Sequence, residues 1–321
     1  MNSFIRYYNQ NRKKIWGIVI IIASAILVIQ VINFFVKRGT EEEIANANNI
    51  TQEPQIQTNS STVTTNRSVV TGQSISQEKL QRETTLIDDF LTYCNNGDIE
   101  NAYNMLTNEC KEEMFENIDI FRDVYYNNNF NGQKKNCTVE NWTESTYKVR
   151  MVEDLLSTGK SNEGSAIQDY ITIVEQDDTY KLNINNFIGR KQINRITEND
   201  NIKAEVLYAN QYSDYVEYRL KVTNNTENTI FLDSREEIKS LYIEDSNGST
   251  SSAYTQELTV PMLTVQVGHT NDISIKFYAG YVYDREIEQI VFSDIILDAN
   301  AYQEFNNTLN YKNRLEFRVN V

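Results

Sequence analysis

The spacing of apolar residues changes three times along the 321-residue chain. An unbroken apolar run over 15–36 is followed over 37–75 by a stretch rich in Glu, Asn, Gln, Thr and Ser. Helical spacing begins near residue 76, and strand-like alternation replaces it in the second half of the chain. This order predicts a membrane helix, a linker, an α+β domain and an all-β domain.

The apolar run over 15–36 carries no charged residue. As a helix it would be about 33 Å long, which is enough to cross the hydrocarbon core of a bilayer. Trp16 at one end and Phe34 with Phe35 at the other suit the membrane interfaces. Two alternatives are a buried helix of a soluble protein and a signal peptide cleaved after Ala23-Ser24-Ala25. Cleavage there would leave an apolar N-terminus, so a transmembrane helix is the prediction.

Basic residues predict the orientation of this helix. Four of them precede the run, and Lys37 and Arg38 follow it before an acidic stretch at 41–43. The positive-inside rule therefore favours a cytoplasmic tail over 1–14 and an extracellular C-terminal part. The chain is predicted to be a single-pass protein of the cell membrane, in contact with lipid through 15–36. Residues 37–75 include no aromatic side chain, and we predict a disordered linker there.

Helical periodicity follows the linker. Leu80, Ile87 and Cys94 recur at heptad spacing, which predicts a helix over about 76–95 that ends near Gly97. Asp98 is suited to cap a second helix. A third helical stretch is predicted around 114–125, with its end at the asparagines 127–129.

Alternation with a period of two then predicts strands around 147–151, 170–174 and 180–184, with a hairpin turn at 176–179. Helices followed by an antiparallel sheet indicate an α+β domain over 76–190.

One part of this domain resembles the helical half of NTF2-like domains. The resemblance rests on Cys110-Lys111, Met114-Phe115, Phe121 and the run Gly97-Asp98-Ile99-Glu100-Asn101-Ala102-Tyr103-Asn104-Met105-Leu106-Thr107. It implies a cone in which a curved sheet wraps a long helix. Membrane-anchored examples include an assembly factor of bacterial type IV secretion and conjugation machines. In such a cone Asp88, Asp89, Tyr93 and Tyr103 are the candidate pocket residues, and an aspartate in an apolar pocket could act as a base.

The sequence pattern over 191–321 predicts strands throughout. Apolar residues alternate with polar ones at 216–222, 273–277 and 315–321, and turn residues separate these runs. This pattern predicts an all-β sandwich. The run Val222-Thr223-Asn224-Asn225-Thr226 followed by Ile230-Phe231-Leu232 resembles Ig-like modules of Gram-positive envelope proteins. That resemblance implies an Ig-like architecture.

Composition removes several function classes. The formal net charge is −15, although the first 38 residues carry six basic and no acidic ones. So acidic an exterior argues against nucleic-acid binding. The single histidine, His269, lies in a predicted turn and excludes a histidine triad or multi-histidine metal site within one chain. Asp245-Ser246-Asn247-Gly248 resembles part of a calcium loop but is predicted to be a hairpin turn.

Three cysteines are too few for a disulfide framework. Cys94 and Cys110 could pair if their helices pack together, or all three cysteines could be buried thiols. No metal or cofactor is predicted.

The sequence favours a non-enzymatic interaction protein of the cell envelope, which could be part of a secretion or conjugation apparatus. Its candidate interface residues are Tyr278, Tyr281 and Tyr283, because exposed aromatic residues anchor protein interfaces. Other envelope or membrane proteins are the expected partners, and homo-oligomerisation stays open. One alternative is a sensor or chaperone that binds a ligand in the NTF2-like pocket. Another is a hydrolase or isomerase that uses Asp88 or Asp89.

Overall fold

After one short strand at 61–63, helices come first and most strands follow them in the part of the chain that the structure describes. The computed structural model describes residues 61–63, 65–153, 166–236, 239–305 and 308–321. The predicted tail over 1–14, the predicted membrane helix over 15–36 and most of the predicted linker lie outside these residues. Among the described helices, none is long and apolar enough to cross a membrane.

The first long helix, α1 (Gln77–Asn96), confirms the heptad prediction. Ser76 caps its N-terminus because the Ser76 hydroxyl accepts a hydrogen bond from the backbone N–H of Lys79 at 3.1 Å. Gly97 ends the helix in the left-handed conformation, with φ of 72°. Its apolar stripe is fully covered, and Leu80, Ile87 and Cys94 are all buried.

Short helical segments continue from α1. Asp98 caps the next helix as predicted, because its carboxylate accepts from the N–H of Asn101. The predicted stop at 127–129 is confirmed, since the last helical segment ends at Asn129. Just beyond it, Phe130 is buried and stacks on Tyr126, with ring centroids 6.0 Å apart. The segments are α2 (Ile99–Asn104), α3 (Asn108–Met114), α4 (Ile118–Ile120), a π-helix (Phe121–Tyr126) and α5 (Asn127–Asn129).

An antiparallel meander follows the helices, with one parallel strand added at its edge. Its turn between the last two strands has Asp177 and Asp178 at φ of 52° and 58°, as a type I′ hairpin requires. This confirms the hairpin predicted at 176–179. In spatial order the strands are β1 (Ser61–Val63), β2 (Lys135–Asn141), β3 (Thr146–Glu153), β4 (Ile167–Gln176) and β5 (Thr179–Asn183).

The helices and this sheet share one core, so the α+β prediction is confirmed for the described residues. The inward residues of β3, which are Tyr147, Val149 and Met151, are fully buried. Aromatic rings fill the space between sheet and helices. They belong to Phe90, Phe115, Phe121, Tyr125 and Tyr147.

The predicted linker extends too far, because its last residues belong to the folded domain. β1 pairs in parallel with β2, and the backbone N–H groups of Val69 and Val70 donate to the carbonyls of Asn141 and Trp142. Ser68 is buried, and its hydroxyl donates to the same Trp142 carbonyl at 2.7 Å. Backbone pairing at a sheet edge orders this polar segment, and composition does not report such pairing.

The second half of the described chain forms two sheets around another core. One sheet has the order β13 (Thr270–Phe277), β8 (Val216–Asn224), β7 (Ile202–Tyr212) and β6 (Phe187–Glu198). The other has the order β11 (Thr250–Ser252), β10 (Leu241–Asp245), β14 (Ile287–Ile296), β9 (Ile230–Phe231) and β12 (Thr264–Val265), with β15 (Arg314–Asn320) also paired to β14. Alternating residues of both sheets are buried, which is compatible with the predicted β-sandwich.

Two short helices, α6 (Val260–Leu263) and α7 (Ala299–Glu304), lie between strands.

Two strands connect the two cores. Phe187 at the start of β6 pairs with Tyr212 at the end of β7, and both side chains belong to the first core. Val206, further along β7, belongs to the second core. The predicted boundary between residues 190 and 191 therefore falls inside β6. All described residues belong to one compact unit.

Candidate interaction surface

The tyrosine-rich stretch begins directly after β13. That strand ends at the buried Phe277, and Tyr278 is 55% exposed. Two residues later the loop approaches another backbone closely, since a Cβ on Gly280 would lie 2.9 Å from the carbonyl oxygen of Ser213. Tyr281 then donates its backbone N–H to the same oxygen at 3.0 Å. Glycine is thus needed at position 280, and the loop is held against the segment between β7 and β8.

Tyr281 and Tyr283 contact the first domain. The ring of Tyr281 lies 5.4 Å from that of Trp142, measured between centroids, and the Tyr283 hydroxyl donates to Glu144 at 3.3 Å. Trp142 also packs against Tyr170 at 4.4 Å. Two of the three candidate interface tyrosines therefore join the two halves of the chain, and Tyr278 is the one that faces outward.

Tyr278 is the outer end of a row of four tyrosine rings. Its ring stacks on Tyr254 with centroids 3.5 Å apart, and Tyr254 meets Tyr215 at 6.0 Å. Tyr215 in turn stacks on Tyr212 at 4.2 Å, and Tyr212 is buried. This tyrosine row, Tyr212, Tyr215, Tyr254 and Tyr278, runs from the first core to the surface. Packed rings hold the outer aromatic side chain in place before any partner arrives.

Charged side chains surround the tyrosine row. Lys276 lies over Tyr215, with its ammonium 5.3 Å from the ring centroid, and it pairs with Glu257 at 3.0 Å. Burial by itself would lower the pKa of Lys276, but Glu257, Glu217 and Glu113 outweigh it and raise that pKa. Lys276 stays protonated, and carboxylates dominate the surroundings of this single lysine. The surface around the row is therefore aromatic and acidic.

Arg190 connects this region to the helices of the first domain. Its guanidinium bonds to Glu112 at 2.8 Å and to Glu113 at 3.0 Å, and its Nε donates to Asn210. The same group lies 4.2 Å from the ring centroid of Tyr208. The Arg190 side chain is only 7% exposed, so α3 is fixed firmly against β6 and β7.

The four candidate pocket residues differ in their exposure and contacts. Asp88 is buried on α1, and its neighbour Asp89 is exposed. Partial burial and then Asp88 raise the pKa of Asp89. Tyr93 packs half-buried against the core, and the Tyr103 hydroxyl donates to the carbonyl of Phe115 at 3.0 Å. Both tyrosines pack against the core that contains the buried rings of Phe90, Phe115 and Phe121.

The sequence did not lead us to two buried carboxyl groups that bind tyrosine hydroxyls inside the first domain. Asp169 accepts from the Tyr125 hydroxyl at 2.8 Å, and Glu83 accepts from the Tyr147 hydroxyl at 2.9 Å. Both carboxyl groups are buried. The sequence pattern did indicate that both side chains are buried. Asp169 is two residues from Ile171 and so lies on the same side of β4, and Glu83 lies in the apolar stripe of α1.

We expect the Glu83→Gln variant to resist the loss of stability that rising pH causes in the parent. Burial raises the pKa of Glu83 despite opposing effects from Tyr147, Lys79 and Arg82. The folded state therefore holds a proton that the unfolded chain loses. Glu83 stabilises the fold below about pH 4.5, and that contribution is lost as the pH rises through the folded-state pKa.

Urea unfolding at pH 4, 5.5 and 7 measures this difference. The advantage of Glu83→Gln over the parent should grow with pH. Glu78→Gln, on the exposed first turn of the same helix, controls for the loss of one charge. If the free energy of unfolding changed with pH in the same way for the parent and for Glu83→Gln, the prediction would be contradicted.

The three cysteines are free, buried thiols, so the pairing of Cys94 with Cys110 does not form. Burial raises the pKa of Cys110 and of Cys137 to about 12 in each case. Thiols with such high pKa values are almost entirely protonated near neutral pH, and they act as packing residues.

Two further sequence predictions concern turns, and both are confirmed. The Asp245 carboxylate accepts the backbone N–H groups of Asn247 and Ser249, and Gly248 adopts φ of 77°. His269 lies in the turn after Gly268, with Nδ1 2.9 Å from the carbonyl oxygen of Val267. Within the described ranges no group of three or more His, Cys, Asp or Glu side chains could hold a metal ion.

No protein-family model, curated protein or solved structure shows significant similarity to this chain. The likeness to NTF2-like and Ig-like domains is a resemblance in sequence pattern. What the structure contributes is physical: a filled aromatic core, two domains joined by shared strands, and an outward tyrosine in an acidic surface.

Proposed function

We propose that this chain is a single-pass membrane protein whose extracellular part binds other envelope or membrane proteins, and that it is not an enzyme. The predicted anchor over 15–36 and the charges on either side of it support this location. The occupied interior of the first domain favours a binding surface over an internal ligand site. A role in a secretion or conjugation apparatus rests on the NTF2-like resemblance.

The proposed domain families agree with the arrangement of elements. Helices packed on an antiparallel sheet support an NTF2-like first domain, and two facing sheets support an Ig-like second domain. An interaction role uses the outer surfaces of both, whereas the sensor or chaperone alternative needs an empty cone. The burial of Phe90, Phe115 and Phe121 in one core supports the interaction role.

The exposed end of the tyrosine row carries this proposal. Tyr278 is large, amphipathic and held by Tyr254, and such residues dominate the binding energy of protein interfaces. The carboxylates of Glu217 and Glu257 lie beside the row. Electrostatic complementarity therefore favours a partner that presents basic side chains to this surface.

Photo-crosslinking in the native membrane tests the proposal. A benzophenone amino acid placed at position 278 should capture specific envelope or membrane proteins, identified by mass spectrometry. Leu309, which is 76% exposed, provides the control position. Capture of the same proteins in equal amounts from both positions would contradict a dedicated surface, and so would capture of none at position 278.

Once a partner is captured, truncation of Tyr278 should weaken its binding strongly. We expect Tyr278→Ala to raise the Kd about 30-fold or more, because hot-spot residues contribute about 2 kcal/mol or more. Tyr278→Phe keeps the stack on Tyr254 and should retain most of the affinity. Titration of the purified partner measures both values. Equal affinity of the parent and Tyr278→Ala would remove Tyr278 from the interface.

A further inference from the structure

A polar pocket of about 350 Å³ lies where the helices of the first domain meet its sheet. Amide side chains form much of its wall, and they come from Gln133 and from four asparagines within 127–131. Lys135 and Glu153 also line it. The pocket is separate from the tyrosine row. Phe130 of the first core, Ala166 and Ile167 supply the apolar part of its wall. Its volume is near the lower end of the roughly 300–1,000 Å³ range of small-molecule sites.

Local structure fixes the wall of this pocket at both ends. Phe130 is buried and holds the end of α5. The chain then reverses through Asn131 and Gly132, with φ of 47° and 72°, and enters β2. Asn95 clamps the start of β2, because its side chain accepts from the N–H of Lys135 at 2.8 Å and donates to the Lys135 carbonyl at 3.0 Å. The polar residues between these anchors are thus held in position.

Lys135 brings an unusual charge to the pocket. Its side chain is 7% exposed, and its ammonium lies 3.6 Å from Glu153 Oε1, which is beyond a direct hydrogen bond. Among the described residues the Lys135 ammonium makes no hydrogen bond. An ammonium has three donors. Lys135 therefore has donors to offer an oxygen atom inside the pocket.

The amide groups supply both donors and acceptors. The side-chain NH₂ of Asn128 donates to the Val124 carbonyl at 2.7 Å, and that of Asn127 donates to Asp123 at 3.3 Å. Each amide has two N–H groups and an acceptor oxygen, so this use leaves further capacity. A wall of amides beside one cation and one anion favours a ligand with many hydroxyl groups and no net charge.

We propose that this pocket binds a neutral sugar of one or two rings. Glu153 and the acidic net charge of the chain oppose an anion, and Lys135 opposes a cation. Hydroxyl and acetamido groups match the amides, and a hydroxyl oxygen accepts from Lys135. This inference is independent of the proposed partner surface, because it uses none of the same residues.

Saturation-transfer NMR with full-length protein in lipid nanodiscs tests the pocket, provided that sugar-headed detergents are excluded. The probes are cellobiose and its acetamido counterpart N,N′-diacetylchitobiose, with glucuronate as the charged comparison. We expect saturable binding of at least one neutral disaccharide and weaker binding of glucuronate. Binding of neither neutral sugar at 10 mM would overturn the proposal, and so would preferential binding of glucuronate.

Single substitutions test whether the sugar binds in this pocket. Lys135→Met should raise the Kd about 10-fold to 100-fold, and Asn128→Ala up to about tenfold, from the loss of charged and neutral hydrogen bonds. Asn104→Ala, an exposed asparagine on α2, is the matched control and should bind like the parent. Thermal unfolding checks that each variant folds. Asn128→Ala changes a residue on the protein surface, so it still tests the site if Lys135→Met fails to fold. Unchanged affinity in the folded pocket variants would overturn the assignment.

Discussion

Replacement of Asp169 by alanine should lower the free energy of unfolding by about 3–5 kcal/mol. The buried carboxylate accepts from the Tyr125 hydroxyl at 2.8 Å and from the backbone N–H groups of Asn185 and Asn186 at 3.1 and 2.8 Å. Alanine leaves all three donors without their acceptor. Urea unfolding measures the loss, and a cost below about 1 kcal/mol would contradict this account.

Two variants separate the contributions of the Asp169 charge and of its hydrogen bonds to stability. Asp169→Asn keeps an acceptor oxygen and removes the charge, and because burial raises the pKa of Asp169 the neutral group should be tolerated better than alanine. Tyr125→Phe removes one donor together with its bond and should cost less than Asp169→Ala. If Asp169→Asn were as damaging as alanine, the charge or the second acceptor oxygen rather than packing would explain the effect, because asparagine keeps the size of the side chain.

The position of Asp169 explains why so large an effect is expected. Asn185 and Asn186 both adopt left-handed φ, 60° and 63°, in the turn that leads into β6. The carboxylate holds this turn, and β6 then runs from the first core towards the second. Hydrogen exchange of β6 amides should therefore rise in Asp169→Ala.

The second large effect is expected at Arg314 in β15. Its guanidinium bonds to Asp294 at 2.5 Å and to Glu236 at 2.6 Å, and it donates to the Thr308 carbonyl at 2.7 Å. Asp294 is buried. Arg314→Met should cost about 3–5 kcal/mol, because it leaves a buried carboxylate without its cation.

A double-mutant cycle shows whether the loss of stability comes from the ion pair between Arg314 and Asp294. The Ser234 hydroxyl also bonds to Asp294, so a neutral Asp294→Asn variant keeps a partner. The double variant Arg314→Met with Asp294→Asn should cost clearly less than the sum of the single changes, since no buried charge is left unpaired. Additive costs would show that Arg314 stabilises the fold independently of Asp294. Arg314→Lys should recover only part of the stability, because it lacks the planar fork.

Local features of this protein could be predicted because they depend on neighbouring residues in the chain. The heptad of α1, the caps at Asp98 and Gly97 and the hairpin at Asp177 and Asp178 all follow from short-range geometry. Alternation also identified the buried side of most strands. The helix end at the asparagines 127–129 also follows from local composition, since asparagine has a weak helix propensity.

The candidate sites were harder to predict, because they depend on residues far apart in the sequence. The tyrosine stretch at 278–283 was visible, but its division into an internal contact and one outward ring requires Trp142, Glu144 and Tyr254 to be in place. The amide pocket requires the start of β2 to meet the ends of β3 and β4. No pattern within one segment reports such a meeting.

Sequence by itself determined the order of elements, the inward faces of helices and strands, and the expectation of a membrane anchor over 15–36. The tertiary structure alone decided that 65–75 joins the sheet edge, that Asp169 and Glu83 are buried with tyrosine partners, and that β6 serves two cores. The physical reason is that periodicity records which side of an element is buried. It does not record which distant donor, ring or strand completes the burial.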